Sequence, residues 1–373
     1  MLRDPRLNKK FLGLVVVGVM LPLLLFYAVS GPHDTPSSER SVKLIHKGHY
    51  LSNANNTILF TDQQAPPTTP SQQAVLAEHV RRTCQKQDRR QTTSVKFNPK
   101  HYDHILVDDR HKMLYCYVPK VACTNWKRVM LVLSGKVKVN NVLDITAVEV
   151  HNRYKDVIPL LSNYPKSEIK YRLDNYYKFM FVREPFERLL SAWRNKFHSN
   201  VSSSLYFRKQ FGRSILRRFR DSKEIGFAAG GGGKSKTDAE LEKVRVRFDE
   251  FLQYLVDPVR TEELNEHWAK YHKLCRPCSV QYDFVGKYET IDEDAEHVLR
   301  SVLANHMVNF PKRSATYRHN RTASYFGKFY DDVPPSLLRR VFKAYKLDFD
   351  MFDYSVPEEL QKRFEADDDD VDI

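Results

Sequence analysis

Apolar and polar positions divide the chain into stretches of different character. Phe11 to Val29 read "FLGLVVVGVMLPLLLFYAV" without a charged residue. That length crosses a bilayer core as a helix. Arg3, Arg6, Lys9 and Lys10 precede it, and no comparable basic cluster follows immediately. The positive-inside rule therefore leaves residues 1–10 in the cytosol and carries the rest across the membrane. The run is longer than the apolar core of a usual cleaved signal peptide. It predicts a single transmembrane signal-anchor over 11–29. Residues 30–95 are rich in Ser, Thr, Gln, Asn and Pro, as in "DQQAPPTTPSQQ", with a possible short helix near "QAVLAEHVRRTC". They predict a lumenal stem. Regular patterning runs from about 96 to 358 and predicts one domain of catalytic size. Within it, "AAGGGGKSKTDAE" (228–240) predicts a flexible surface loop. Residues 359–373 end in "EADDDDVDI", a like-charge block that predicts a disordered tail.

Inside 96–358, strand patterns alternate with helix patterns. "MLYCYVP" (113–119) is short, aromatic and β-prone, and Pro119 ends it. Trp126, Val129, Met130 and Leu133 follow at helical spacing, with Gly135 as a stop. "YKFMFV" (177–182) reads as a buried strand. Phe186, Leu189, Leu190, Trp193 and Phe197 then form one helical stripe, with Pro185 suited to its first turn. A further strand is predicted near 280–286. Strand, turn and helix repeated this way predict an α/β fold with a central, mostly parallel sheet flanked by helices.

Charge narrows the function. The chain has 373 residues, 42% of them hydrophobic and 12% aromatic, which excludes wholesale disorder. Its formal charge of +14 favours a polyanionic partner. A lumenal domain makes that partner an acidic glycan and not nucleic acid. Sequons at Asn55, Asn200 and Asn320 and five cysteines agree with a secretory location. The "CRPC" at 275–278 has no second Cys-x-x-Cys to complete a zinc site. A local disulfide or long-range pairing is expected, with one cysteine left over.

Two strand-to-helix turns carry the candidate chemistry. A helix start after a strand favours anions through its free N–H groups and dipole. The first turn, in "VPKVACTNWKR", supplies Lys120, Thr124, Asn125, Lys127 and Arg128. The GxxxxGK[ST] pattern of nucleoside triphosphatases is absent from the whole chain. At the second turn Arg183 follows a strand directly, and Ser191 lies about two helical turns on. The bland alternative there is a surface pair, Arg183–Glu187 or Glu184–Arg188. Two basic turns in one domain predict a ligand with two separated phosphate-like groups.

"YCYVPKVACTNWKR" and "KFMFVREPFERLLSAWRNKF" resemble the paired donor-binding motifs of Golgi carbohydrate sulfotransferases. "LNEHWAKYHKLCRPCSVQYDFVGKYET" and "YKLDFDMFDYSVP" resemble the branch containing chondroitin and dermatan 4-O-sulfotransferases and the HNK-1 sulfotransferase. The resemblance covers roughly residues 100–358. It implies a P-loop-like sulfotransferase fold, a Golgi location and PAPS as sulfate donor, with no metal. Pro119, Lys120, Val121, Ala122, Cys123, Thr124 and Asn125, with Arg128, would hold the 5′-phosphosulfate. Arg183, Glu184, Pro185, Phe186, Glu187, Arg188, Leu189, Leu190 and Ser191 would hold the 3′-phosphate, chiefly through Arg183 and Ser191. The implied acceptor is the 4-hydroxyl of N-acetylgalactosamine in chondroitin or dermatan. The scarcity of glycine is then attributed to a phosphate chain shorter than that of ATP.

In-line transfer needs a leaving-group contact and a general base. Lys120 is the candidate for the first. His267, in "NEHW", is the first candidate for the second, with Glu266 and Glu187 as alternatives. The cations Arg208, Lys209, Arg213, Arg217, Arg218 and Arg220 would either track a polyanionic glycan or form a solvated helix face. Two rival functions compete. A metal-dependent glycosyltransferase rests on Asp348-Phe349-Asp350, a triplet expected to be structural. A non-catalytic glycan-binding protein rests on charge alone.

Overall fold

The computed structural model describes residues 72–88, 97–199, 202–221, 223–224, 237, 240, 242–312 and 326–365. The expected anchor at 11–29, the asparagines of the three sequons, most of the 228–240 loop and residues 366–373 lie outside them. Among the described residues no helix is long and apolar enough to cross a membrane. The chain divides into units Met1–Ala65 and Pro66–Ile373, and the described residues all belong to the second.

That unit is built on a four-stranded sheet in the order β1 (Ile105–Asp108), β2 (Met113–Cys116), β3 (Tyr177–Val182) and β4 (Phe284–Lys287). β1 pairs antiparallel with β2, whereas β2–β3 and β3–β4 are parallel. Every residue of β2 is buried, as expected of a strand covered on both faces. Tyr115, Phe179 and Phe284 are in register across three strands. Gly286 makes room for this aromatic layer, because a Cβ there would come within 2.4 Å of the Phe181 ring. The predicted strand at 113–119 stops at Cys116. The one predicted near 280–286 is displaced to Phe284–Lys287, because Pro277–Val280 is a helical turn.

Each parallel strand feeds a helix. α2 (Cys123–Leu133) follows β2 and stops at Gly135, whose φ of +72° suits a helix C-terminus. Its Trp126 is fully buried, 4.8 Å from the Phe179 ring and 5.3 Å from Phe181. α3 (Lys166–Asn175) precedes β3, and α4 (Pro185–Trp193) follows it. The core has two parts, one around the sheet and one where Phe186, Leu189 and Leu190 of α4 meet Trp268, Tyr330 and Phe349.

The domain boundary expected at residue 96 moves. α1 (Gln72–Asp88), assigned from sequence to the stem, buries Leu76, Val80 and Cys84 at four-residue spacing in the sheet core. A disulfide joins its Cys84 to Cys278, and a second joins Cys116 to Cys275. Polar composition hid this helix because only one of its faces is apolar. Of the tail expected to be disordered from 359, the described residues are helical, within Glu358–Glu365, and Leu360 is buried. In the segment 208–220, Lys209 and Arg213 pair with Glu242, Arg218 with Asp257 and Arg220 with Glu250. This supports the helix-face reading of that segment over the glycan track.

Candidate active site

The first turn takes a glycine-like path without glycine. Lys120 and Ala122 have φ of +75° and +53°, at a cost of about 1–2 kcal/mol each for residues with a Cβ. The scarcity of glycine therefore does not reflect a simpler turn. Burial of Val118 and Val121 on either side holds the conformation in place. α2 begins at once, and no side chain caps its N-terminus.

The first turn opens on a cavity of about 360 Å³, which Ser191 also lines and Arg183 does not. Lys120, Ala122, Cys123, Thr124, Asn125 and Arg128 line one side, and Ser191 of α4 joins them. Arg128 donates to Asn125 Oδ1 at 2.7 Å and to the Ile145 carbonyl at 2.7 Å. Tyr288, Ile291, Phe310 and Pro311 form an apolar end. Arg183 is buried, with its guanidinium 4.6 Å from the centre of the Tyr288 ring.

The second turn is more specialised than its sequence suggested. The Arg183–Glu187 pair forms, at 2.8 Å, but with Arg183 buried and Glu187 half-buried it is not an exposed surface pair. It also engages Glu187 as a partner of Arg183, which weakens Glu187 as a general base. The Glu184–Arg188 pair does not form. Glu184 instead caps α4, accepting from the backbone N–H groups of Phe186 and Glu187. Burial pushes its carboxyl up to about 8, against the pull of those two bonds. Arg188 donates to three carbonyls, of Pro119, Ala269 and Glu266, at 3.2, 2.6 and 2.9 Å. It clamps protein to protein instead of reaching the cavity. Val121, Pro185, Phe186, Leu189 and Leu190 are buried, and none of their side chains lines the cavity.

Around Lys120 the electrostatics are crowded with positive charge. Burial, then Lys196 and Arg183, lower the half-buried Lys120 amine to about 7. Partial desolvation, then Lys127 and Lys196, lowers the imidazole of the solvent-exposed His151 to about 4, and its Nε2 is 3.0 Å from Thr124 Oγ1. Burial pushes the free Cys123 thiol up. His267 lies well below the usual imidazole range, by burial first and then Lys196, Lys120 and Arg188. Asn265 Oδ1 accepts from both the backbone N–H of His267, at 3.1 Å, and its Nδ1, at 2.8 Å. The ring proton therefore sits on Nδ1, which leaves Nε2 as the basic nitrogen. Glu266 lies 3.8 Å from His267 Nδ1 and 3.9 Å from His104 Nε2. Mutual repulsion among cations is what an incoming polyanion relieves.

Sequence reasoning missed Lys196, His151, Tyr288, Ile291 and Phe310. Lys196 lies in a π-helical turn, Arg194–His198, that continues α4. Such turns often occur at functional sites, but no residue pattern announces this one. Asp348 is buried and accepts from the backbone N–H groups of Tyr271 and His272, so the Asp-x-Asp triplet is structural as expected. Among the described residues, no group of three or more His, Cys, Asp or Glu could hold a metal ion.

Residues 103–355 match the family described as Sulfotransferase family. The chain is 40% identical over 287 residues to carbohydrate sulfotransferase 11 of Rattus norvegicus, covering 76% of each chain. It is a member of the carbohydrate sulfotransferase family. It is 44% identical over 254 residues to carbohydrate sulfotransferase 14 of Homo sapiens, covering 68% of this chain and 61% of that one. With carbohydrate sulfotransferase 12 of Mus musculus it shares 38% identity over 271 residues, covering 69% and 61%. No solved structure matches significantly. As a sulfotransferase of this family, the chain is an enzyme whose acceptor is a carbohydrate.

Proposed function

We propose that the chain moves a sulfuryl group from PAPS to the 4-hydroxyl of N-acetylgalactosamine in chondroitin or dermatan. One observation carries the donor assignment: Lys120, Thr124, Asn125 and Arg128 share a cavity with Ser191, and Arg183 packs on a wall of that cavity. The first group suits a 5′-phosphosulfate and the second a 3′-phosphate. The apolar end at Ile291, Phe310 and Pro311 suits a purine ring. The acidic polymer suits a chain of charge +14. The two disulfides and the apolar run at 11–29 support a lumenal domain on a type II anchor in the Golgi.

The chain's own residues supply positioning and charge. His267 Nε2 accepts the proton of the attacking hydroxyl as its oxygen bonds to sulfur. The bond from sulfur to the bridging oxygen breaks, and the leaving nucleotide takes that electron pair. Lys120 and the uncapped N–H groups of α2 stabilise the charge that develops on it. The Asp348-based glycosyltransferase reading loses its support, because that carboxylate is committed inside the fold.

The test uses the purified full chain with labelled PAPS and desulfated chondroitin or dermatan, followed by disaccharide analysis. Label on the 4-position of N-acetylgalactosamine is the expected result. Label elsewhere would overturn the position assigned. Failure to bind the nucleotide product PAP would overturn the donor site.

A further inference from the structure

A second cavity, of about 600 Å³, lies at the opposite end of β3 from the transfer site. Lys178, near the start of β3, lines it, whereas Arg183 follows the end of that strand. Five residues of strand separate the two by about 16 Å. The groove combines two kinds of chemistry. Phe97 and Tyr102, with ring centres 6.1 Å apart, give it an aromatic wall, and Phe97 is 40% exposed. Four cations from three elements surround that wall: Arg81 of α1, Lys166 and Lys170 of α3, and Lys178.

Three carboxylates partly balance those cations. Asp174 pairs with Lys170, and Asp283 pairs with Lys178 at 3.0 Å. Arg81 pairs with Glu78 at 2.9 Å. The Lys166 ammonium lies 5.2 Å from the centre of the Phe97 ring. Four cations against these three carboxylates leave the groove with one net positive charge, at Lys166. Ser279 and Gln281 add neutral hydrogen-bonding side chains beside the aromatic pair. Aromatic faces pack on the apolar faces of sugar rings, and ammonium groups bind carboxylates and sulfates.

We infer that this groove is a second binding site for an acidic saccharide, holding a stretch of the polymeric acceptor away from the sugar being sulfated. The inference rests on the proposed glycan acceptor. Its role is to raise the affinity for long chains by linking two contacts through one polymer. A short acceptor that fills only the transfer site gains nothing from it.

The test is the double charge reversal Lys166→Glu/Lys170→Glu in the full chain. Both side chains are exposed, and neither belongs to the transfer site. Sulfate transfer is measured with polymeric desulfated chondroitin and with a desulfated tetrasaccharide cut from it. The expected result is a KM for polymer raised about five-fold at low salt, the scale of two exposed charge contacts. KM for the tetrasaccharide and for PAPS, and kcat, should stay unchanged. An unchanged KM for polymer overturns the inference, and so does an equal rise for both acceptors. If the parent protein sulfates neither acceptor, the proposed reaction fails and the groove is judged by binding. Immobilised desulfated chondroitin should then release the double variant at lower salt than the parent. Equal retention overturns the groove. Phe97→Ala should weaken polymer binding in the same direction without changing charge.

Discussion

The hydroxyl of Tyr271 bonds both backbone groups of Arg183, accepting from its N–H at 2.9 Å and donating to its carbonyl at 2.7 Å. Asp348 in turn accepts from the Tyr271 backbone N–H at 2.8 Å. The residue proposed to grip the 3′-phosphate is therefore fixed by a tyrosine 88 positions away. Tyr271→Phe leaves the ring in place and strips two buried backbone groups of a partner. It should destabilise the protein by about 1–3 kcal/mol and weaken PAP binding. Thermal unfolding and calorimetric titration of PAP would check the two effects separately. Unchanged PAP affinity would remove Arg183 from the binding site or Tyr271 from its support.

Arg188 joins the loop that bears Lys120 to the loop that bears His267, through the Pro119, Glu266 and Ala269 carbonyls. Lysine keeps the charge but cannot make the same planar set of bonds. Arg188→Lys should lower kcat about 100-fold, as a misplaced catalytic group does, while the KM for PAPS changes little. Steady-state kinetics separates the two. A large rise in that KM with kcat intact would mean that Arg188 touches the donor directly.

Lys120 links activity to stability through its amine, lowered to about 7 from an ordinary 10.5. Between those pH values the unfolded chain holds a proton that the folded protein lacks, so this residue's cost to stability shrinks as pH rises. Below the lower value the cost is complete. Lys120→Met should therefore raise the unfolding temperature most at or below neutral pH, with the gain vanishing toward 10.5. The same variant should lose about 10²–10³ in kcat. Parallel melting curves across pH and a rate measurement test both. A variant that melts lower at neutral pH would contradict the charge crowding described around this amine.

His267 is held neutral by burial and by the cations around it. The acid limb of kcat/KM should therefore fall below the usual imidazole range, because the free enzyme's base stays unprotonated to lower pH. His267→Gln should cost about 10²–10⁴ in kcat and abolish that limb. If the limb persists unchanged in the variant, another group, with Glu266 the nearest carboxylate, is the base.

The Cys84–Cys278 disulfide closes 194 residues and ties α1 to the sheet unit. Cys84→Ser should cost about 2–5 kcal/mol. Chemical denaturation would measure it, and a loss near zero would mean that apolar packing alone docks α1.

Local chemistry makes much of this protein legible in its sequence. A buried strand, a basic turn and an amphipathic helix are contiguous along the chain, so β3 with α4, the run into α2, and the residues Lys120, Thr124, Asn125, Arg128, Arg183 and Ser191 can be read from it. The same reasoning overreaches inside "REPFERLLS", where Glu184 caps a helix, Arg188 clamps loops, and Phe186, Leu189 and Leu190 fill the core. Side chains in consecutive helical positions point in different directions, and only packing decides which of them faces a ligand. Lys196, His151, Tyr288 and Phe310 come from separate segments, so no spacing could gather them at Lys120. The placement of α1, the disulfide partners and the three carbonyls of Arg188 depend on contacts between distant residues. Folding brings such residues together through shared burial, which a linear pattern does not record. Sequence alone determined the strand-turn-helix units and their basic turns; tertiary packing decided which of their side chains meet at one cavity.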